Sequence, residues 1–349
     1  MFFEWNMRLA DRKDLTPDEL KQSVVALLDE TVPTEAKVAF LVALARKGET
    51  PNEISAFASE VRSRAIELPV DPRWRASREI LDVCGTGGDR LNTFNISTTV
   101  GILCAAAGVV VAKHGNRAVT SQSGSADVLE ALGISVDLSP EEAVRSLQRH
   151  GFAFFFAPKY HPAFRHVAAA RKLCAERGQR TIFNYLGPLL NPARPSVQLL
   201  GVARPDLCDP LARTLQSLGL RRAMVVCGEV PGGRYLDELS TLGSNHVAEF
   251  HHDRGFSTST WTASDFPLQI ATLADIAGGD RIANAEIIRR LVRGDDRGPR
   301  RDAVLLNAAA GLFLAGRVRN LVEGWDLAGR TIDSGAASEK LAALQEPIV

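Results

Sequence analysis

Five short stretches carry the residue types needed to hold a phosphate, a metal ion and a nucleophile. Gly85-Thr-Gly-Gly-Asp89 follows the apolar run Ile80–Val83. Glycines let the backbone approach a ligand and turn amide N–H groups toward phosphate oxygens. The run has no GxGxxG spacing and no following GK[ST], so neither a dinucleotide fingerprint nor a Walker loop is present. Asn95, Ser97 and Thr98 supply hydroxyl and amide groups at a helix start, where free N–H groups and the helix dipole favour an anion; simple N-capping is the plainer role. Lys113-His-Gly-Asn-Arg117 leaves the next strand with three potential cations, at the strand end where parallel α/β sheets bind ligands. A solvated basic loop is the alternative, and Gly115 and Asn116 argue for a specific turn instead. Ser123-Gly-Ser125 adds a further nest before a helix, with Asp127 placed as a first-turn cap. Leu236-Asp237-Glu238-Leu239 sets two adjacent carboxylates between apolar residues, which suits magnesium, an ion that takes few protein carboxylates and completes its shell with substrate phosphate. Arg171, on a helix after His161, offers a bidentate grip on a carboxylate. Together these groups read as a site for a sugar phosphate that carries a pyrophosphate.

The elements that must position them alternate. Strands are expected at 80–83, 109–111, 152–156, 197–202, 223–227 and 248–250, with helices at 98–107, 126–132, 141–150 and 209–218. Strand–helix–strand order implies a parallel sheet with right-handed crossovers. Residues 159–195 interrupt the alternation: a helix over 161–176, a break at Gly178, and a fixed turn around Gly187-Pro188 and Asn191-Pro192. Helices at 283–293 and 302–314 close the chain. Before the sheet, residues 15–66 read as short amphipathic helices. Thr16-Pro-Asp-Glu19 and Thr50-Pro-Asn-Glu53 each provide a cap, a proline at N1 and a glutamate at N3. A third helix begins at Pro33, presents Val38, Leu41, Val42 and Ala45 on one face and stops at Gly48. Such short helices need a partner to bury against, which suggests a lobe that packs on a second subunit.

Composition narrows the classes. The chain has 349 residues, enough for about two domains. Lysine plus arginine and aspartate plus glutamate number 41 each, so no overall field draws the protein to nucleic acid or to an anionic membrane. Five scattered cysteines without a CxxC pair speak against zinc and disulfide frameworks. The start, Met1-Phe-Phe-Glu-Trp-Asn, lacks a basic n-region, and no apolar run is long enough to span a bilayer, so a cytoplasmic location is expected.

CGTGGD (84–89), NIST (95–98), KHGNR (113–117), SGSADVLEALG (123–133), RTIFNYLGPLLNP (180–192) and LDELS (236–240), in this order, resemble the anthranilate phosphoribosyltransferases of the class IV phosphoribosyltransferase and nucleoside phosphorylase-like superfamily. The resemblance implies an α/β fold: a small helical domain, 1–78 with 159–192, and a larger domain, 79–158 with 193–349, built on a central, mostly parallel sheet. It implies a homodimer joined through the helical domain, and transfer of 5-phosphoribose from phosphoribosyl pyrophosphate (PRPP) to the amine of anthranilate with Mg2+, in tryptophan biosynthesis. Carried over by position, Gly85, Gly88, Asp89, Asn95, Ser97, Thr98, Lys113 and Ser125 would hold PRPP. Ser97, Asp237 and Glu238 would bind the metal, and Gly85, His114, Asn116 and Arg171 would face anthranilate. Lys113, His114 and Asp89 are the candidates closest to the chemistry, with His114 the best candidate for any general base.

Three positions depart from the family pattern: Tyr235 stands where glycine usually precedes LDE, Leu190 replaces a threonine, and Thr120-Ser-Gln122 varies the segment before SGSAD. A pyrimidine nucleoside phosphorylase shares single motifs but needs no metal-bound pyrophosphate. A catalytically silent nucleic-acid-binding relative would lack the glycine turn or the acidic pair and would gain positive charge.

Overall fold

The computed structural model describes residues 2–118, 122–252 and 255–348; Thr120 and Ser121 of the variant segment lie outside the described residues, as do Met1 and Val349. Eight strands form one sheet: β1 (Ile80–Gly85), β2 (Val110–Gly115), β3 (Phe152–Phe156), β4 (Val197–Gly201), β5 (Arg222–Val230), β6 (Arg234–Leu236), β7 (Ser244–His251) and β8 (Gly255–Thr262). Their order is β3-β2-β1-β4-β5-β7-β8, with β6 also paired to β5. The first five are parallel neighbours, and β6, β7 and β8 join antiparallel. The order reverses between β1 and β4, and in open α/β sheets the crevice at such a switch point takes the ligand.

One face of the sheet, through Leu81, Val83, Val111, Phe154 and Leu199, packs on the apolar helix Ile96–Ala106 and on Pro299–Leu314. The other face divides. Ala112, Ala153 and Phe155 bury against the helix Pro140–His150. Leu200, Ala223 and Val225 share a core with the helix Cys208–Ser217, with the N-terminal helices, and with Val167, Cys174, Phe183 and Leu186 of the interrupting segment. Both predicted capping boxes form, at Thr16 and at Thr50; a cap of this kind contributes about 1 kcal/mol.

Several elements differ from expectation. A helix at Phe2–Ala10 precedes those read from sequence, and Leu321–Asp333 and Ala336–Leu344 follow the expected last one. The helix starting at Thr34 buries Phe40 and Leu44 more deeply than Val42 and Ala45. The span 161–176 is not one helix. Pro162 excludes the helical region for His161, which sits at φ −125° and ψ 61°, so a 3-10 turn (Pro162–Val167) precedes the helix Ala168–Glu176. β2 does not end at Val111. It runs on through Lys113, His114 and Gly115, paired with Phe154, Phe155 and Phe156. The five cysteines are all buried thiols, and no helix among the described residues is long and apolar enough to cross a membrane.

A buried polar knot helps to fasten the interrupting segment to the sheet. Asn191 Nδ2 donates to Asp82 Oδ2 (2.9 Å) and to the Ala112 carbonyl (2.7 Å), and the amide of His114 donates to Asp82 Oδ1 (3.4 Å). Burial pushes the Asp82 carboxyl up to about 6, against the pull of Asn191 and Lys113. The folded protein therefore holds this proton to about pH 6, while the unfolded chain releases it near the ordinary 3.8. The folded state binds more protons in that window, so this group's contribution to stability falls as pH rises from about 4 through about 6. Chemical denaturation across that range should show Asp82→Asn flattening the decline. Asn191→Ala, which strands a buried carboxylate, should lower stability by about 1–3 kcal/mol; an Asn191→Ala protein as stable as the parent would contradict the knot's role.

Candidate functional site

The acidic stretch sits where strand ends leave room for it. β6 pairs with Gly228–Val230, the part of β5 beyond the reach of β4, whose partners on β5 stop at Val226. The chain leaving β6 is thereby laid across three strands at places held by glycine: Gly85 and Gly201, which end β1 and β4, and Gly228, two residues before the end of β5. A Cβ on Gly85 would lie 2.1 Å from Asp237 Oδ2, one on Gly201 1.6 Å from the Asp237 carbonyl oxygen, and one on Gly228 2.6 Å from the Glu238 carbonyl oxygen. No side chain fits at these places. Two buried asparagines clamp the residues just after the acids. Asn307 accepts from the Leu239 amide and donates to its carbonyl (both 2.9 Å), and Asn245 does the same for Ser240 (2.7 and 3.0 Å).

Asp237 Oδ2 accepts from the Gly87 amide (2.7 Å), which ties the acidic stretch to the glycine turn. That turn is contorted: Gly87 (φ 72°), Gly88 (φ 84°), Arg90 (φ 59°) and Asn92 (φ 53°) all take left-handed backbone. Such strain persists where surrounding structure holds it, often at functional sites. Asp89 lies close enough to raise the Asp237 carboxyl, and accepts from the Leu91 amide (3.1 Å). Glu238 is buried and accepts from the Ser97 amide (3.1 Å), in the first turn of the helix Ile96–Ala106.

One cation faces this cluster. Lys113 is 1% exposed; its Nζ donates to the Val83 carbonyl (2.6 Å) and to Ser97 Oγ (3.3 Å). Its charge and the Ser97 amide work against burial, which still pushes Glu238 up to about 7. Burial, then the charges of Asp89 and Glu238, hold half-buried Asp237 well above the usual carboxylate range. Three carboxylates thus meet one ammonium, an excess of negative charge that fits a divalent cation. Among the described residues no three His, Cys, Asp or Glu side chains form a metal-holding group by themselves; magnesium takes few protein carboxylates and completes its shell with phosphate and water.

The helix-start residues do not cap their own helix. Asn95 Nδ2 donates to the Ser123 carbonyl (3.3 Å) and its Oδ1 accepts from Asn284 (2.9 Å), linking this junction to the next. The Thr98 hydroxyl is buried without a partner. In the next turn Ser125 Oγ donates to the Asn116 carbonyl (3.3 Å), while Asp127 accepts from the amides of Ala118 and Gly124 (2.9 Å each) as a cap. Arg117 is exposed and paired with Asp127 and Glu130, so the run 113–117 is not a cluster of three cations.

Successive strand residues point to opposite faces. Lys113 therefore faces the carboxylates, and His114 faces the interrupting segment. His114 Nδ1 lies 3.1 Å from the Gly187 carbonyl, which can only accept, so Nδ1 carries the proton and Nε2 keeps its lone pair. Nε2 is buried with no partner. Burial, with the neighbouring His161 and Lys113, lowers the ring to about 3. A row of side chains leads away from it: His161 at 5.5 Å, Phe164 at 5.5 Å from His161, Phe183 at 5.8 Å from Phe164, and the Arg171 guanidinium 5.2 Å from the Phe183 ring. Arg171 has no carboxylate partner among the described residues. The structure thus gathers Gly85, Gly88, Asp89, Asn95, Ser97, Thr98, Lys113, Asp237 and Glu238 at one set of strand ends. Asn116 and Ser125 sit on the adjoining turn, and Arg171 stands apart at the end of the ring row. Tyr235 packs on His246 (6.1 Å), and Leu190 is buried in the core shared with the N-terminal helices. Sequence reading missed Gly201, Gly228, Asn245, Asn307, Asp82 and His161; glycine at the end of an apolar strand was a visible signal for the first two.

Two family models match the chain: the glycosyl transferase family helical bundle domain over residues 6–65 and the glycosyl transferase family a/b domain over 77–338. The chain is 45% identical to the anthranilate phosphoribosyltransferase of Symbiobacterium thermophilum, covering 97% of this chain and 95% of that one. It is 44% identical to that of Persephonella marina, covering 99% and 98%. Its fold is similar to the crystal structure of anthranilate phosphoribosyltransferase from Thermus thermophilus, with TM-score 0.87, 40% identity and 97% and 98% of the two chains covered. It is also similar to the Saccharomyces cerevisiae enzyme in complex with PRPP and Mg, with TM-score 0.85, 28% identity and 98% and 96% covered. With a helical part, a mostly parallel sheet and matches of this extent, the chain belongs to the anthranilate phosphoribosyltransferase family.

Proposed function

We infer that this protein transfers 5-phosphoribose from PRPP to the amine of anthranilate, giving N-(5-phosphoribosyl)anthranilate and pyrophosphate, in tryptophan biosynthesis. The observation that carries the reading is the acidic pair, half-buried Asp237 and buried Glu238, seated on Gly85, Gly201 and Gly228 beside Lys113 at the sheet's switch point. Mg2+ is the cofactor, and Asp237, Glu238 and Ser97 would hold it. When bound, it offsets the charge of the pyrophosphate group.

The chain's own groups divide the remaining work. Lys113, already oriented by Val83 and Ser97, would meet the charge that grows on the leaving pyrophosphate. The amides of Gly85 and Gly88, the Thr98 hydroxyl, Asp89, Asn95 and Ser125 would hold the rest of PRPP. An aromatic amine is a nucleophile at neutral pH, so alignment matters more than deprotonation. His114, neutral and with Nε2 unpartnered, would accept an N–H of that amine and hold it in line, beside Gly85 and Asn116. Arg171 would take the carboxylate. The helical domain would combine 1–78 with 159–192, and the rest of the chain the α/β domain. A homodimer would form through the helical part, where Phe3 (77%) and Met7 (57%) expose apolar surface. A charged, phosphorylated substrate favours a cytoplasmic site of action.

Anthranilate fluorescence should fall only when PRPP and magnesium are both added, and Asp237→Asn/Glu238→Gln should abolish that loss. Because these changes remove buried charge, the metal-free variant should melt no lower than the parent at pH 8; a clear drop would show that the acids stabilise rather than await a cation. Arg171→Ala should raise the anthranilate KM about tenfold or more, the worth of a charged hydrogen bond, with the PRPP KM within about twofold; equal losses for both substrates would refute the assignment. His114→Ala should keep most of its kcat with an unchanged pH profile, whereas a large, pH-dependent loss would make the imidazole a base. Sedimentation of a single chain at micromolar concentration would refute the dimer.

A further inference from the structure

A groove of about 850 Å3 lies outside the site described above, walled by Leu20 and Ala56 of two N-terminal helices and by Leu218 after the helix Cys208–Ser217. Its two ends differ in charge. At one, Asp14 and Glu53 share a single ammonium, that of Lys47. At the other stand Arg62 and Arg194. No carboxylate pairs with either, or with nearby Arg75, among the described residues. Arg62 instead feels the like charges of Arg194 and Arg75, and burial with this repulsion lowers its guanidinium to about 10.

The arrangement is held, not incidental. Arg75 Nη1 donates to the carbonyls of Ala193 (2.6 Å) and Arg194 (3.2 Å). The Arg194 amide donates to the Asn191 carbonyl (3.1 Å), and Arg194 is kept at φ 49°, a left-handed conformation that side chains rarely adopt. Ser59 and Ser63, four residues apart and so on one face of the helix Pro51–Arg62 and its cap, line the wall beside Arg62. The Ser63 hydroxyl already donates to the Glu60 carbonyl (2.8 Å), so Ser59 is the hydroxyl donor on this wall. Guanidiniums gathered without a carboxylate partner, beside a hydroxyl donor and above an apolar floor, are complementary to an oxyanion.

We propose that this groove binds a small oxyanion-bearing molecule, through its phosphate or its carboxylate, gripped by Arg62 and Arg194. The proposal is independent of the transferase site, since none of these residues belongs to it.

Calorimetric titration of the full chain, saturated with PRPP and magnesium so that the donor site is closed to the probes, would test it. Inorganic phosphate and malonate serve as separate arms at ionic strength held constant with sodium chloride. One saturable site per chain is expected for at least one probe, and which probe binds assigns the oxyanion as phosphate or carboxylate. Affinity should fall at least tenfold in Arg62→Gln/Arg194→Gln, with both substrate KM values within twofold of the parent. Removing unpaired like charges should also leave the ligand-free Tm of that variant equal to or above the parent's. The proposal is overturned by no saturable heat from either probe, by equal binding in parent and variant, or by a variant Tm several degrees lower, which would make the arginines structural.

Discussion

The feature on which the rest of this molecule depends is an excess of negative charge withdrawn from water. Glu238 is buried, Asp237 is half-buried, Asp89 adds a third carboxylate, and Lys113 supplies the facing positive charge. Placing an ionised carboxylate in such a position costs several kcal/mol unless it is paired and hydrogen-bonded. The protein meets that cost with fixed dipoles: the Gly87 amide on Asp237 and the Ser97 amide on Glu238. It also prevents escape, since Asn245 and Asn307 clamp the backbone of Leu239 and Ser240 directly downstream. In the function proposed above, this partial compensation would leave a seat for a divalent ion whose shell phosphate completes.

That seat explains otherwise separate features of the sheet. β6 is three residues long and would be a negligible strand by itself. It pairs with β5 past the end of β4 and delivers the acids there, and the strands beneath carry Gly85, Gly201 and Gly228 because Asp237 and the backbone of the acidic stretch occupy the space of a Cβ. The helix Pro299–Leu314 is buried along most of its length and places Asn307 under the same turn.

Local chemistry was legible in the sequence. The two Thr-Pro-x-Glu starts, the glycine turn after β1 and the acidic pair each owe their form to neighbours a few residues away, and each stands where it was expected. What escaped was set by distant partners. Asp82 reads as a stray acid in an apolar strand until Asn191, more than a hundred residues later, turns up against it. Gly201 and Gly228 look like ordinary strand ends until the acidic stretch is laid over them. β8, largely exposed and rich in serine and threonine, has none of the alternation that marks a half-buried strand and gains its form by pairing with β7. The run 113–117 misled in a different way. Its charges suggested three cations in a turn past the strand end, whereas the Val83 carbonyl and Ser97 make it possible for a lysine to sit inside a strand. Arg171 was named from the sequence, but the row of rings that leads to it from His114 comes from three separate segments, so no local spacing could announce that row.

Lys113 and His114 are chain neighbours that look in opposite directions, and β2 thereby acts as a ruler for both halves of the crevice. A deletion of one residue upstream in that strand would not merely shift the ends. It would invert the frame, sending the imidazole in among the acids and the ammonium toward Asn191 and Gly187. Length along this single strand is therefore as stringent a constraint as residue identity, and tolerance to insertions should vanish there while persisting in the turns on either side.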